Sequence, residues 1–209
     1  MSDQKISDEA LRAPLEALSG QDTDVARAYL DCGLPPIRSQ DAGFNGLVGM
    51  IISQQVSVQS AKAILGRLVE QVGEITPENI LALDDDGMKA AGLSRPKQRY
   101  TRGLAEDVLA GRLQLEHLPD MSDDEVIDHL IQVKGIGRWT CEVYLLFALK
   151  RPDIMPAADL ALQEAMKHLK GLEHRPTPKE MYELSENWRP HRSAGARFLW
   201  HYYRHAGIA

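Results

Sequence analysis

An all-α fold is what this 209-residue sequence predicts, and three observations carry it. Apolar residues recur at helical spacing along most of the chain, capping residues stand directly ahead of those runs, and alternating strand pairs joined by Asn-Gly turns are missing. Residues 1–40 read as two short helices packed on the body and ending at Gly33-Leu34-Pro35-Pro36. Phe44, Leu47, Val48, Ile51 and Ile52 fall at i, i+3, i+4, i+7 and i+8, one face of a helix. Ser57 caps the next helix, with Val58, Ala61, Ile64, Leu65, Leu68 and Val69 inward. Thr76-Pro77 pairs an N-cap with a first-turn proline, whose missing N–H would be unpaired there anyway. Ser122 and Glu125 form a capping box ahead of Val126, Ile127, Leu130 and Ile131, and Thr177 and Glu180 form another ahead of Tyr182 and Leu184. A last helix, from about His191 to His205, carries Ala194, Phe198, Leu199 and Tyr202. The expectation is about ten helices joined by tight turns, in a single domain over residues 1–209.

Composition narrows the class. Hydrophobic residues make up 44% and charged residues 26%, a globular balance. No run approaches the roughly 18 apolar residues of a membrane span, and MSDQKISDEA has no apolar core of a secretory signal. Two distant cysteines, Cys32 and Cys141, exclude a disulfide scaffold, a multi-cysteine zinc site and an all-cysteine iron–sulfur cluster. An intracellular setting is expected. A net charge of −6 argues against a generic nucleic-acid coat, so any DNA binding must be local. Asp84-Asp85-Asp86 and the basic set Arg95, Lys97, Arg99 and Arg102 read as solvated helix faces.

The segment Val133-Lys134-Gly135-Ile136-Gly137-Arg138-Trp139-Thr140 is the most informative. It joins the capped helix at 122–132 to an apolar helix from about Arg138 to Leu149. Two glycines around one apolar residue let the chain reverse, taking positive φ without penalty, and leave amides bare at a helix N-terminus. Such a turn suits a phosphate without a lysine cloud; a plain helix turn is the alternative. Further on, Asp159 of Pro156-Ala157-Ala158-Asp159 opens a helix bearing Leu160, Leu162, Ala165, Met166 and Leu169. A simple N-cap is one reading. Because cap amides and helix dipole favour the anion, the other is a carboxylate that stabilises a positive transition state or takes a proton from water.

A helix, the hairpin Val-Lys-Gly-Ile-Gly-Arg-Trp-Thr, a second helix and then Pro-x-x-Asp opening a third: this order resembles the helix-hairpin-helix glycosylases of base-excision DNA repair. The narrower likeness is to the alkyl-purine branch, the DNA-3-methyladenine glycosylase II type, in compact form. Ile52-Ser53-Gln54-Gln55-Val56-Ser57, Gly92-Leu93-Ser94 and Trp188-Arg189-Pro190-His191-Arg192-Ser193 followed by Trp200 agree with it, over roughly residues 40–205. The resemblance implies two lobes with an active-site cleft between them and Asp159 as the catalytic residue. It implies Trp139 and Trp200 in the base pocket, and DNA contacts from Gln54, Gln55, Lys134, Gly135, Ile136, Gly137, Arg138 and Thr140. Gln55 falls where the family places the wedge that replaces the flipped nucleotide, often an aliphatic side chain. A glutamine there points to hydrogen bonding with the orphan base. Val143 stands at a pocket-tyrosine position, with Tyr144 one residue off.

Trp139 occupies the position of the lysine that members with lyase activity use for Schiff-base chemistry, so the resemblance implies a monofunctional hydrolase. Alkylated purines carry positive charge and leave readily, and electron-rich indoles favour a cationic base by roughly 0.5–2 kcal/mol per contact. No cofactor is required. The family suggests a structural monovalent or divalent cation at the carbonyls of Val133 and Gly135. His201 and His205, at i and i+4, lack a third ligand nearby and read as surface histidines rather than zinc ligands. The expected partner is double-stranded DNA carrying alkylated bases, bound by a monomer in the bacterial cytoplasm and nucleoid or the eukaryotic nucleus. The competing reading is a non-catalytic helix-hairpin-helix DNA-binding module.

Overall fold

In the computed structural model, residues 8–38 and 40–208 are described; they form twelve α-helices and three short 3-10 helices, with no β-strand among the described residues. The first unit spans Met1–Ser39 and Lys150–Ala209, and the second spans Gln40–Leu149. Helices α1 (Arg12–Gln21) and α2 (Thr23–Cys32) open the first unit. The second holds α3 (Gly43–Ser53), α4 (Val58–Val72), α5 (Pro77–Ala82), α6 (Asp85–Ala91), α7 (Arg95–Leu109), α8 (Asp123–Leu130) and α9 (Arg138–Phe147). The first unit then resumes with α10 (Leu160–Lys170), α11 (Pro178–Leu184) and α12 (Arg192–His205).

Local sequence explains most of these boundaries. Ser57 accepts from the Ser60 amide, and both capping boxes, Ser122 with Glu125 and Thr177 with Glu180, are reciprocal. Thr76 caps α5 with Pro77 as its first residue. Within the second unit α3 packs on α4 and α7, α4 on α6, and α5 on α7. Helix α3 buries Leu47, Val48, Ile51 and Ile52 as expected.

Helix α4 departs from its expected face. Ile64 and Leu68 are buried, but Val58 and Val69 are 73% and 43% exposed. At 100° per residue Val58 lies about 120° round from Ile64 and Val69 about 100° from Leu68, so one narrow stripe was read too wide. Ile131, expected inward, caps the end of α8 and is exposed. Helix α9 ends at Phe147 rather than Leu149 and is buried on almost every side from Thr140 onward.

The first unit is tied together by one carboxylate. Asp22 caps α2, its Oδ1 accepting from the amides of Asp24 and Val25. Both of its oxygens take Lys170 Nζ at 2.6 Å, and Oδ2 takes the Trp188 indole N–H at 2.8 Å. The N-terminal helices are thereby fastened to the last turn of α10 and to the 3-10 turn Glu186–Trp188. Trp188 is fully buried, as expected of a core tryptophan.

Burial alone would raise the Asp22 pKa; hydrogen bonds from Lys170, Trp188 and the Val25 amide outweigh it and hold the group below its ordinary value. A depressed carboxyl pKa contributes stability above the unfolded value of about 3.9, which is lost as pH falls through the folded value. Asp22→Asn leaves the Lys170 ammonium with Asp24 alone, at 3.1 Å, and is expected to cost about 3 kcal/mol at neutral pH, the low end for breaking a buried pair. Urea denaturation checks this, and the difference from the parent protein should shrink once pH drops below about 4.

Candidate active site and nucleic-acid interface

In the first unit Asp159 is the N-cap of α10, with its Oδ1 accepting from the Leu162 amide at 3.0 Å. The turn before it is stiff. The Asp159 amide donates to the Pro156 carbonyl at 2.9 Å, and the buried Gln163 side chain donates to the Ala157 carbonyl at 2.8 Å. A second donor reaches the carboxylate from α12, the Trp200 indole N–H at 3.1 Å from Oδ1. Two donors on one oxygen fix the rotation of the carboxylate. Trp200, expected as a stacking surface, therefore has its edge committed to Asp159.

Nothing in the sequence singles out Arg38. Its guanidinium carbon stands 5.7 Å from the centre of the Trp200 ring, a cation–π distance. Partial desolvation and then the neighbouring Arg204 lower the Arg38 pKa from its ordinary value, while Asp159 acts to raise it. Arg38 lies in the irregular stretch between α2 and α3, where no periodicity or cap marks it.

The second unit carries the hairpin between α8 and α9. The Val133 amide donates to the Leu130 carbonyl, the Ile136 amide donates to the Val133 carbonyl, and both side chains are buried. The two glycines differ, against the expectation of positive φ at both. Gly135 has φ +95°, and a Cβ there would stand 2.4 Å from the Tyr100 ring. Gly137 is extended, with φ −102° and ψ 170°; it caps α9, and a Cβ there meets nothing within 4 Å. Among the described residues the amides of Gly135 and Gly137 donate to no backbone carbonyl, which leaves them for a ligand.

Side chains around the hairpin divide. Lys134 and Arg138 are exposed, though Arg138 Nε is held at 3.0 Å by the buried carboxylate of Glu142. Thr140, read as a DNA contact, is buried, because α9 turns that face inward. Trp139, one residue earlier, is 39% exposed. Val143 and Tyr144 are both core residues, and the Tyr144 hydroxyl accepts the Gly43 amide at 2.8 Å.

The turn between α3 and α4 carries Gln54 and Gln55. Gln55 is exposed and left-handed, with φ +57°, an uncommon state for a residue with a side chain. Gln54 donates through Nε2 to the Gly135 carbonyl at 2.9 Å. Lys97, expected on a solvated face, donates to the Ile52 carbonyl at 2.7 Å, and desolvation lowers its pKa. Arg102 likewise donates to the Leu83 carbonyl and pairs with Asp85, whereas Arg95 and Arg99 are exposed.

Metal ligation finds little here. Among the described residues no group of three or more His, Cys, Asp or Glu is placed to hold an ion. His201 Nε2 donates to the Cys32 carbonyl, which withdraws that nitrogen from ligation. At the hairpin the Val133 and Gly135 carbonyls each already accept one hydrogen bond, from the Ile136 amide and from Gln54. Each retains a second lone pair, so these neutral oxygens fit a weakly held cation better than a tightly chelated one. No helix among the described residues is long and apolar enough to cross a membrane.

Comparison with known proteins agrees with this geometry. The chain is 36% identical over 161 residues to DNA-3-methyladenine glycosylase 1 of Schizosaccharomyces pombe, covering 75% of this chain and 71% of that protein. It is 33% identical over 165 residues to a putative DNA-3-methyladenine glycosylase of Bacillus subtilis, covering 75% of this chain and 58% of that longer protein. The solved structure of the S. pombe 3-methyladenine DNA glycosylase in complex with abasic DNA superposes with a TM-score of 0.82 at 33% identity, over 94% of this chain and 98% of that one. A Bacillus halodurans DNA-3-methyladenine glycosidase gives 0.82 at 29% identity, over 93% and 91%. Residues 48–190 match the HhH-GPD superfamily of base excision DNA repair proteins, and the chain belongs to that family.

Proposed function

We propose that the protein is a monofunctional DNA glycosylase that excises N3- or N7-alkylated purines from DNA and leaves an abasic site. The observation that carries this reading is Asp159: a carboxylate at a helix N-cap, fixed by the Leu162 amide and by the Trp200 indole. Asp22 is capped and indole-bound in the same way but is closed by Lys170, and the likeness to DNA-3-methyladenine glycosylases supports an enzyme over a binding module. The base must first leave the duplex stack, at a cost of a few kcal/mol. Gln55 at the tip of its turn is the proposed wedge, and Trp139 and Trp200 are the proposed aromatic partners of the base. The Trp200 ring already attracts the Arg38 guanidinium, and the same quadrupole attracts a methylated, positively charged purine.

As the bond between the sugar C1′ and the purine nitrogen breaks, its electron pair leaves with the base, which departs neutral. Positive charge develops on the sugar as an oxocarbenium, and the Asp159 carboxylate stabilises it. Water adds to C1′ and gives up its proton to Asp159 or to solvent. The hairpin amides hold a DNA phosphate, which is how a chain of net charge −6 binds nucleic acid. A hairpin cation held by the carbonyls of Val133 and Gly135 would serve the same phosphate contact, with no part in bond cleavage. One copy of the chain suffices, wherever the genome is kept.

Incubation with methylated genomic DNA, with chromatography of what is released, should yield methylated purines. Asp159→Asn keeps the oxygen that accepts both hydrogen bonds, so melting temperature and DNA binding should stay near native. Release should fall by about 10²–10³ or more. A folded, DNA-binding variant that releases bases at the native rate would place the chemistry elsewhere.

The glycines separate grip from fold. Gly137→Val should melt normally yet bind undamaged duplex roughly tenfold or more weakly whatever its sequence, since it obstructs an amide–phosphate bond. Gly135→Ala should instead lower stability by about 2–4 kcal/mol, from left-handed strain and collision with Tyr100. Filter binding and thermal melts on the two variants check the contrast.

A further inference from the structure

Four residues, Gln54 to Ser57, connect α3 to α4, and the second of them adopts a left-handed backbone that its side chain disfavours. Such a turn persists when its surroundings fix it, and here three bonds do so. Lys97 fastens the end of α3 through the Ile52 carbonyl. Ser57 fastens the start of α4 as its N-cap. Between them Gln54 reaches across 81 residues of sequence to the Gly135 carbonyl, in the hairpin that holds the phosphate. Gly135 is itself immobilised, because its missing side chain is what lets the Tyr100 ring pack there.

We propose that Gln54 is a positioning residue that couples the hairpin to the wedge: its amide holds the turn so that gripping a phosphate places Gln55 to fill the gap left by the flipped base. This rests on the glycosylase reading above and replaces the expectation that Gln54 itself touches DNA. One N–H of this part-buried amide is committed to the hairpin carbonyl, which fixes the direction of the side chain from within the fold. The coupling predicts that losing Gln54 is felt through Gln55 alone and where there is a duplex gap to fill.

The test uses Gln54→Met and Gln54→Leu, which stay uncharged and lose the donor, alone and combined with Gln55→Ala. Single-turnover release of methylated purines is measured from duplex and from single strands, together with affinity for undamaged duplex. Gap filling is read independently of catalysis, from the fluorescence of 2-aminopurine opposite an abasic site. Either Gln54 variant should slow duplex release about tenfold, as small misplacements do, and abolish the protein's fluorescence change. Single-strand release and duplex affinity should stay within about twofold, and Gln55→Ala should mask the loss.

Losses that add to those of Gln55→Ala, or weaker binding to undamaged duplex, would make Gln54 a DNA contact and overturn the proposal. So would unchanged duplex release, or unfolding of both variants in a thermal melt. Absence of base release by the parent protein on either substrate would instead refute the glycosylase reading, and the fluorescence measurement would still decide the coupling.

Discussion

The buried carboxylate of Asp22 organises the first unit. It ends one helix's unpaired amides, neutralises Lys170 at the last turn of another and receives the Trp188 indole, all within 3.3 Å. An ion pair of this kind adds little net stability over an apolar substitute, but it admits few alternative arrangements without leaving a charge stranded. Its effect on function is positional. Helix α10, a rod of 11 residues, is fixed at its C-terminal end by Lys170 and capped at its N-terminal end by Asp159. The N-terminal helices, which lie far from any motif in sequence, thus help to set where the Asp159 carboxylate stands.

The second unit meets a different constraint, that of putting bare amides on the surface of an acidic protein. Gly135 admits the Tyr100 ring, and Gly137 leaves open space over the start of α9, where the proposed phosphate contact would form. Amides and a helix dipole attract a phosphate locally, so binding need not draw on a large basic surface. Lys134 stands exposed on the hairpin, and Arg138 is tethered to Glu142.

Much of this was legible in the sequence because it is local. Capping boxes at Ser122 and Thr177 and the cap at Asp159 each act within three residues, and each forms as its spacing implies. The hairpin was legible for the same reason. What escaped was tertiary. Lys97 and Arg102 read as solvated charges because nothing in α7 announces the carbonyls of Ile52 and Leu83 that they meet. Arg38 over Trp200 and Gln54 on Gly135 join segments with no shared periodicity. Thr140 was misplaced because its assignment followed the hairpin's order rather than the rotation of α9, which turns every residue from 140 to 147 inward.

Asp22 and Asp159 offer an internal comparison of what a helix-capping aspartate is for. Each opens a helix, and each receives an indole N–H from a tryptophan in the C-terminal part of the chain, at 2.8 and 3.1 Å. They differ in what else meets the charge. Asp22 has an ammonium on both oxygens and a side chain 2% exposed, so its charge is consumed within the fold. The amide and the indole that hold Asp159 both bind Oδ1, and the residue is half-buried rather than enclosed. The Arg38 guanidinium also acts on the Asp159 charge, and in the proposed reaction the same fixed carboxylate would stabilise positive charge on the sugar with no reorganisation when the bond breaks. One capping motif serves the fold at Asp22, where a lysine closes it, and under the proposed function serves chemistry at Asp159.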